Sequence, residues 1–217
     1  MINRTSLLLA GLGLLAIFSV SCAPVSYLVA TFLPPPEIKA VYELPKGKRI
    51  LVFTDDLGHP LAYPPLKRIL AEKIDKQFLD QKLVAETISY DKLLDLQARN
   101  SEFDRLSVDQ VGTKLGAELV LFVQIDEFRL QETPGAPIWQ GMFTVRVRVV
   151  DPASGRLWPK DGSAGYTLTV QTPMSQNANE AYGAELAEDL AGRMADKIAK
   201  LFYTHRGPPV GSDDKYQ

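Results

Sequence analysis

The sequence has few of the side chains on which metal clusters and nucleophilic catalysis depend. Its 217 residues include one cysteine and two histidines. A single cysteine cannot form an intramolecular disulfide, an iron–sulfur cluster or a cysteine-based zinc site. An excess of one charge is also lacking, because 24 Lys and Arg are balanced by 26 Asp and Glu. The net charge of −2 gives no basic footprint, so we predict that no nucleic acid is bound.

Several enzyme motifs are missing as well. The sequence contains no Gly-x-Gly-x-x-Gly or phosphate-binding loop, no Gly-x-Ser-x-Gly elbow and no His-Glu-x-x-His zinc motif. The hydrophobic fraction of 46% is nevertheless that of an ordinary globular protein. We therefore expect a folded protein that is not an enzyme and carries no cofactor.

The amino terminus has the layout of an export signal. Arg4 precedes an apolar run over residues 7–20, which is shorter than the ~20 residues that a membrane-spanning helix needs. Small residues ending at Ser21 then lead to Cys22 and resemble a bacterial lipobox, in which signal peptidase cuts before a lipid-bearing cysteine. We predict a signal peptide over residues 1–21 and acylation, including palmitate, at Cys22.

Two other fates of this segment stay open from the sequence. No charged residue occurs over residues 7–33, so the segment could remain as an uncleaved anchor, although Pro24 would weaken its helix. Cleavage without lipid attachment would give a secreted protein. The lipid-anchored fate places the chain in the cell envelope, facing the periplasm. Ala23, where inner-membrane lipoproteins often have Asp, favours the outer membrane.

The remaining chain divides into a tether, one domain and a tail. Residues 22–48 contain three consecutive prolines from Pro34, which favour an extended spacer between lipid and domain. Residues 49–204 hold the periodic hydrophobic patterns of a folded domain. Residues 205–217 combine Gly, Pro and Asp and predict a disordered tail.

Within the domain, the hydrophobic period changes in an order typical of an α/β fold. Apolar runs predict strands over residues 49–54 and 117–130, and spacings of three and four predict helices after Pro65 and over residues 179–203. Residues 142–151 alternate strictly, as in an antiparallel strand. Further predicted elements are strands over residues 41–44, 83–90, 156–158 and 166–171, a helix capped by Asp91, and a helix from Ser107 to Gly116. The prediction is a single α/β domain with a mixed sheet, helices packed on it and the order β-α-β-α-α-β-β-β-α.

A first group of candidate functional residues follows the first strand. Asp55, Asp56 and His59 lie at the end where open α/β sheets often bind ligands, and two carboxylates with an imidazole could hold a metal ion. The same residues are also ordinary turn chemistry, in which Asp accepts local backbone hydrogen bonds.

A second group lies on and beside the alternating strand. Arg146 and Arg148 are predicted on its exposed face, and Trp139 and Trp158 flank it. Because Arg and Trp are enriched at binding hot spots, we expect this face to contact an acidic partner or an anionic polymer. The alternative is that the arginines are solvated and that the tryptophans cover the edge of the core.

Three segments resemble a group of bacterial envelope proteins. They are the strand at residues 48–53, the helix end and strand at residues 111–121, and the hairpin turn at residues 150–155. The group comprises the curli-secretion lipoprotein, the outer-membrane lipoprotein that activates penicillin-binding proteins, and the amino-terminal domain of TolB. The resemblance covers residues 48–203 and implies a shared fold and an envelope location.

The resemblance and the tether together imply a non-catalytic binding or assembly module for another envelope protein. One alternative is a subunit, including a homo-oligomeric one, of a ring-shaped or export complex. Another is a metal-assisted envelope enzyme that uses Asp55, Asp56 and His59. A membrane pore is not expected, because the core uses every alternating segment.

Overall fold

The computed structural model describes residues 36–57, 61, 63–133, 135–175 and 180–208, without the side chains of 180 and 181. Two compact units divide the chain, a larger one over residues 39–205 and a smaller one that includes residues 36–38 and 206–208. The predicted apolar run, Cys22 and His59 lie outside the described residues. Among the residues described, no helix is both long and apolar enough to cross a bilayer.

Eight strands occur in the described chain. They are β1 (Glu37–Ile38), β2 (Arg49–Asp55), β3 (Glu86–Ile88), β4 (Leu119–Gln131), β5 (Trp139–Asp151), β6 (Gly155–Trp158), β7 (Tyr166–Gln171) and β8 (His205–Arg206). β1 pairs with β8, and the N–H of Gly207 donates to the carbonyl of Pro36 at 2.7 Å. β8 therefore contains the first two residues of the predicted tail, whose residues 209–217 are not described.

A six-stranded mixed sheet forms the centre of the larger unit. Its order is β3-β2-β4-β5-β6, with β7 paired to β5 beside β6. β2 is parallel to β3 and β4, because a helical crossover precedes each of those partners, whereas β5, β6 and β7 follow as antiparallel strands. The mixed α/β sheet is confirmed, and the predicted strands over residues 156–158 and 166–171 are present as β6 and β7.

Four helices and one 3-10 turn complete the described part of the larger unit. They are α1 (Leu66–Asp80), α2 (Tyr90–Arg99), the turn Phe103–Arg105, α3 (Val108–Leu115) and α4 (Glu180–Lys200). α3 begins with a capping box between Ser107 and Gln110, and it ends at Gly116, whose φ of 68° suits glycine. α2 is capped by Ser89, whose hydroxyl accepts from the N–H of Asp91 at 3.3 Å. The predicted cap at Asp91 is therefore wrong by two residues.

The helices lie on opposite faces of the sheet. α4 packs on the face to which Gly141 belongs, since a Cβ built on that glycine would come within 2.5 Å of Leu190. α1 packs against α4 on the same side. α3 packs on the other face, where a Cβ on Gly112 would meet Val120 at 2.6 Å. The 3-10 turn also lies on that face, with the ring of Phe103 beside the ring of Phe53.

Two predicted strands differ from the structure. Residues 41–44 are irregular, and the N–H groups of Val41 and Tyr42 both donate to the carbonyl of Leu201, at 2.7 and 3.0 Å. Leu44 is buried, so residues 39–48, the end of the predicted tether, belong to the larger unit. β3 spans three residues of the predicted 83–90, because only that part pairs with β2.

Candidate functional site

Three arginines occupy one face of the sheet at its β4–β5–β6 side. Arg148 pairs by register with Phe122, and Arg146 pairs with Gln124. Arg156 pairs with Val150, and Val150 lies on the same face of β5 as Arg146 and Arg148. We call the surface formed by Phe122, Asp126, Arg146, Arg148 and Arg156 the arginine face. It lies on the side of the sheet opposite to α4.

A carboxylate of β4 lies on this face next to a β-bulge. Asp126 follows Gln124 by two residues, so strand alternation places both on the arginine face, and the Nε2 of Gln124 donates to the Oδ1 of Asp126 at 2.9 Å. The register shifts between Ile125 and Glu127, so Asp126 is an extra residue in its strand. Beyond this bulge the alternation is offset by one residue, and Phe128 pairs with the buried Phe143.

Arg146 is fully engaged by that carboxylate. Its Nε donates to the Oδ2 of Asp126 at 2.6 Å, and its Nη2 donates to Oδ1 at 2.7 Å. This side-on, two-bond arrangement is the strong form of an arginine–carboxylate pair. The hydrogen bond to Asp126 raises the pKa of Arg146, so the guanidinium stays charged.

Arg148 lies two residues further along and has no such carboxylate. Its guanidinium carbon lies 4.6 Å from the centroid of the Phe122 ring, a cation–π contact. Its Nε is buried and has no hydrogen-bond partner among the described residues. Burial, followed by the charges of Arg156 and Arg146, lowers the pKa of Arg148. The site thus holds a desolvated cation next to two others.

Arg156 is the second arginine with unused donors. Both its Nε and its Nη2 are buried and lack a partner in the part of the chain that the structure describes. The nearby carboxylate of Asp161 is committed to its own turn, since its Oδ1 accepts from the N–H of Ser163 at 3.0 Å. The Ser163 hydrogen bonds, and more weakly the charge of Arg156, lower the pKa of Asp161.

The segment before β7 forms one border of the arginine face. Gly165 approaches β5 so closely that a Cβ there would lie 3.0 Å from the Cβ of Arg146 and 3.4 Å from the Cγ of Arg148. Its φ of +149° is also a conformation that favours glycine. Gly165 therefore holds this segment against the stems of the two arginines.

The two tryptophans lie away from the arginine face. Trp158 pairs with the fully buried Val149, stacks on Tyr42 with ring centroids 5.8 Å apart, and lies tilted against Tyr166 at 5.1 Å. Trp139 lies edge-on to Tyr182 at 6.0 Å, in α4. Both tryptophans therefore pack against the core on the α4 side, and the structure does not place them beside Arg146 and Arg148.

Asp55, the last residue of β2, and Asp56, which follows it, line a separate groove of 530 Å³. Asp56 pairs with Lys67 at 3.2 Å, and the Oδ1 of Asp55 accepts from the N–H of Leu57 at 3.3 Å. Both interactions are those of a stabilised loop. In the described part of the chain, no three His, Cys, Asp or Glu side chains form a group that could hold a metal ion.

Arg156 was absent from the candidates drawn from the sequence. The sequence held a signal for it in the hairpin turn at residues 151–155. An antiparallel hairpin with this turn places Arg156 opposite Val150, which is two residues from Arg148 and on the same face. Asp126 had a weaker signal, namely its position two residues after Gln124 in the predicted strand, which places the two polar side chains on one face.

Comparisons with known proteins give distant structural likenesses. No family model and no curated protein matches the sequence. A PelC dodecamer from Paraburkholderia phytofirmans is similar over 77% of this chain and 96% of its own, with 13% identity and a TM-score of 0.42. Lipoprotein GNA1162 from Neisseria meningitidis is similar over 69% and 99%, with 14% identity and a TM-score of 0.41.

A Xanthomonas campestris protein of the DUF330 family is similar over 77% of this chain and 88% of its own, with 8% identity and a TM-score of 0.45. Bacterial lipoproteins thus occur among the similar structures.

Proposed function

We propose that this protein is a lipid-anchored, non-catalytic binding module of the bacterial cell envelope, which recognises a protein partner through the arginine face. One observation carries the proposal. Among the described residues, Arg148 and Arg156 have buried N–H groups without acceptors on the same face where Arg146 is paired with Asp126.

Unpaired buried donors lower the stability of the folded chain. A buried cation without hydrogen bonds is destabilising, and buried polar groups in proteins are nearly always paired. Two such arginines side by side, with a third cation next to them, add like-charge repulsion to that cost. A partner that supplies negative charge and acceptors would remove both penalties. The arrangement is thus better suited to binding than to the stability of the isolated chain.

Membrane attachment in this proposal rests on the sequence. The apolar run and the lipobox-like residues before Cys22 indicate export and lipid attachment. The domain then acts from the periplasmic side of a membrane, with the outer membrane favoured by Ala23. The lipid confines the module to a surface, which raises its effective concentration toward partners on the same membrane.

Site-specific photo-crosslinking in intact membranes tests the proposal. A benzophenone amino acid replaces Thr167, which is exposed and pairs with Arg146 across the β5–β7 register. The matched control carries the same probe at Lys76, whose side chain is 75% exposed on α1. We expect a discrete crosslinked species from position 167 and none of that mass from position 76.

Two further variants define the outcome. Arg148→Gln with Arg156→Gln should abolish the crosslink from position 167, and Cys22→Ala should reduce it by releasing the chain from the membrane. A crosslink that persists without both arginines would refute the arginine face as the binding surface. An adduct containing two copies of this chain would replace partner recognition with self-assembly.

A further inference from the structure

We propose that the group recognised by the arginine face is a carboxylate from an acidic polypeptide segment, bound side-on by Arg156 and shared with Arg148. The inference rests on the proposed function and names the chemistry of its ligand. The unpaired donor atoms of Arg148 and Arg156 define the ligand more closely than the number of positive charges does.

The unused donors of Arg156 form a defined edge. Its Nε and Nη2 are both without an acceptor among the described residues. These are the same two atoms through which Arg146 holds the carboxylate of Asp126, at 2.6 and 2.7 Å. The face therefore contains one filled and one unfilled example of the same binding edge. A planar group with two oxygens, such as a carboxylate, matches it.

Arg148 adds the condition that the ligand is anionic. Its Nε is a third unpaired donor, and the mutual repulsion of Arg148 and Arg156 contributes to lowering the pKa of Arg148. A neutral carbonyl would accept hydrogen bonds but would leave the repulsion in place. An anion between the two guanidinium groups offsets it, and the ring of Phe122 under Arg148 excludes water from one side.

The chain's own carboxylates on this face are already committed. Asp126 holds Arg146, Asp161 accepts from Ser163, and Glu127 pairs with Arg129 at 3.1 Å. The carboxylate that binds Arg156 must therefore come from residues other than these three. Because Arg156 is partly buried and its unpaired donors are covered, the slim side chain of Asp or Glu suits this position better than the bulkier headgroup of a lipid held in a flat bilayer.

Fluorescence anisotropy of a labelled octaglutamate peptide tests the inference. The full chain is kept in a non-ionic detergent at about 0.15 M salt, where exposed charges are screened beyond about 8 Å. An octaglutamine peptide is the matched ligand control. We expect octaglutamate to bind and octaglutamine not to bind. Equal binding of the two peptides would contradict a carboxylate ligand.

Three arginine variants separate side-on binding from charge alone. Arg156→Gln should weaken octaglutamate binding by about tenfold or more, the scale of a lost charge-assisted hydrogen bond. Arg156→Lys keeps the charge but loses the planar edge, so its loss should be close to that of Arg156→Gln. Arg193→Gln removes an exposed arginine that pairs with Asp189 on α4 and should change affinity less than about twofold. Equal losses for all three variants would overturn the inference.

Other occupants give distinct results. Vesicles of phosphatidylglycerol that bind through Arg156 while octaglutamate does not would identify a lipid phosphate. Inorganic phosphate that displaces octaglutamate at lower concentration than acetate does would identify a phosphate site. Asp213→Asn with Asp214→Asn, if it raised octaglutamate affinity, would identify the chain's own carboxyl-terminal residues as the occupant. The two phosphate results would overturn this inference, whereas the third would support a carboxylate ligand and give this chain as its source. An arginine-dependent crosslink from position 167 would still support the proposed function if a phosphate result were obtained.

Discussion

The two faces of the β4–β5 hairpin differ sharply although their residues alternate along the same strands. On the face covered by α1 and α4, Phe143, Val145 and Val147 are 0% exposed. On the other face, Arg146 and Arg148 stand between those same residues, and one of them has an unpaired buried donor. Strand alternation thus lets one strand supply core packing on one side and a recognition surface on the other. Substitutions should therefore affect stability on one face and binding on the other.

The largest stability effect should come from the helix-covered face. Phe143→Ala would remove a fully buried ring and its edge-to-face contact with Phe128, whose centroid lies 5.4 Å away. We expect the free energy of unfolding to fall by about 3–5 kcal/mol, as for other buried Phe→Ala changes. Urea unfolding followed by circular dichroism measures it. Thr144→Ala, on the opposite face, should lower the free energy of unfolding by less than about 1 kcal/mol. Equal losses for the two variants would contradict a difference in stability between the faces.

A half-buried carboxylate in α1, Asp75, should make the stability of the fold sensitive to pH. Burial, with a smaller effect of Glu72, raises the pKa of Asp75 from 3.8 to about 7. Between those values the folded chain keeps a proton that the unfolded chain has released. The contribution of Asp75 to the free energy of unfolding should therefore be fully present below pH 4 and should fall as the pH rises toward 7.

Asp75→Asn removes this titration from the helix side. We expect the variant to match the parent near pH 4 and to exceed it by roughly 2–4 kcal/mol at pH 8, since each unit of pKa shift corresponds to about 1.36 kcal/mol. Chemical unfolding at both pH values provides the comparison. A constant difference between variant and parent across the pH range would show that Asp75 titrates normally.

A smaller effect is expected on binding when the internal carboxylate of the arginine face is neutralised. Asp126→Asn weakens the hold on Arg146 and adds a third arginine to the unpaired set. Octaglutamate affinity should rise by about three- to tenfold, the scale of a charge-assisted hydrogen bond. The control is Asp189→Asn on α4, which should leave the affinity unchanged. A fall in affinity with Asp126→Asn would mean that Asp126 organises the site instead of competing for it.

The sequence predicted the fold well where local chemistry decides it. Three helix ends were predicted correctly from their capping residues. They are the start of α1 after Pro65, the start of α3 after Ser107 and the end of α3 at Gly116. Strict alternation over residues 142–151 likewise predicted which side of β5 is buried. β3 was predicted too long, because the length of a strand depends on a partner that sequence alone does not reveal.

The candidate site was harder to predict, because it depends on long-range register. Arg146 and Arg148 were found by alternation, but Arg156 required the pairing across the hairpin, and Asp126 required the register between β4 and β5. Trp158 was placed beside the arginines by proximity in sequence, whereas its register partner Val149 directs it to the core. These differences arise from which residues face each other, a property of pairs of strands that no single segment encodes.

The most direct test of the account is the free energy of unfolding of Arg148→Met. If Arg148 serves a partner, its replacement by an apolar side chain of similar length removes a desolvated, unpaired donor and should raise stability by about 0.5–1 kcal/mol while octaglutamate binding is lost. If the arginine instead stabilises the isolated fold, the variant should lose more than about 1 kcal/mol, and that result would contradict the arginine face as a surface built for recognition.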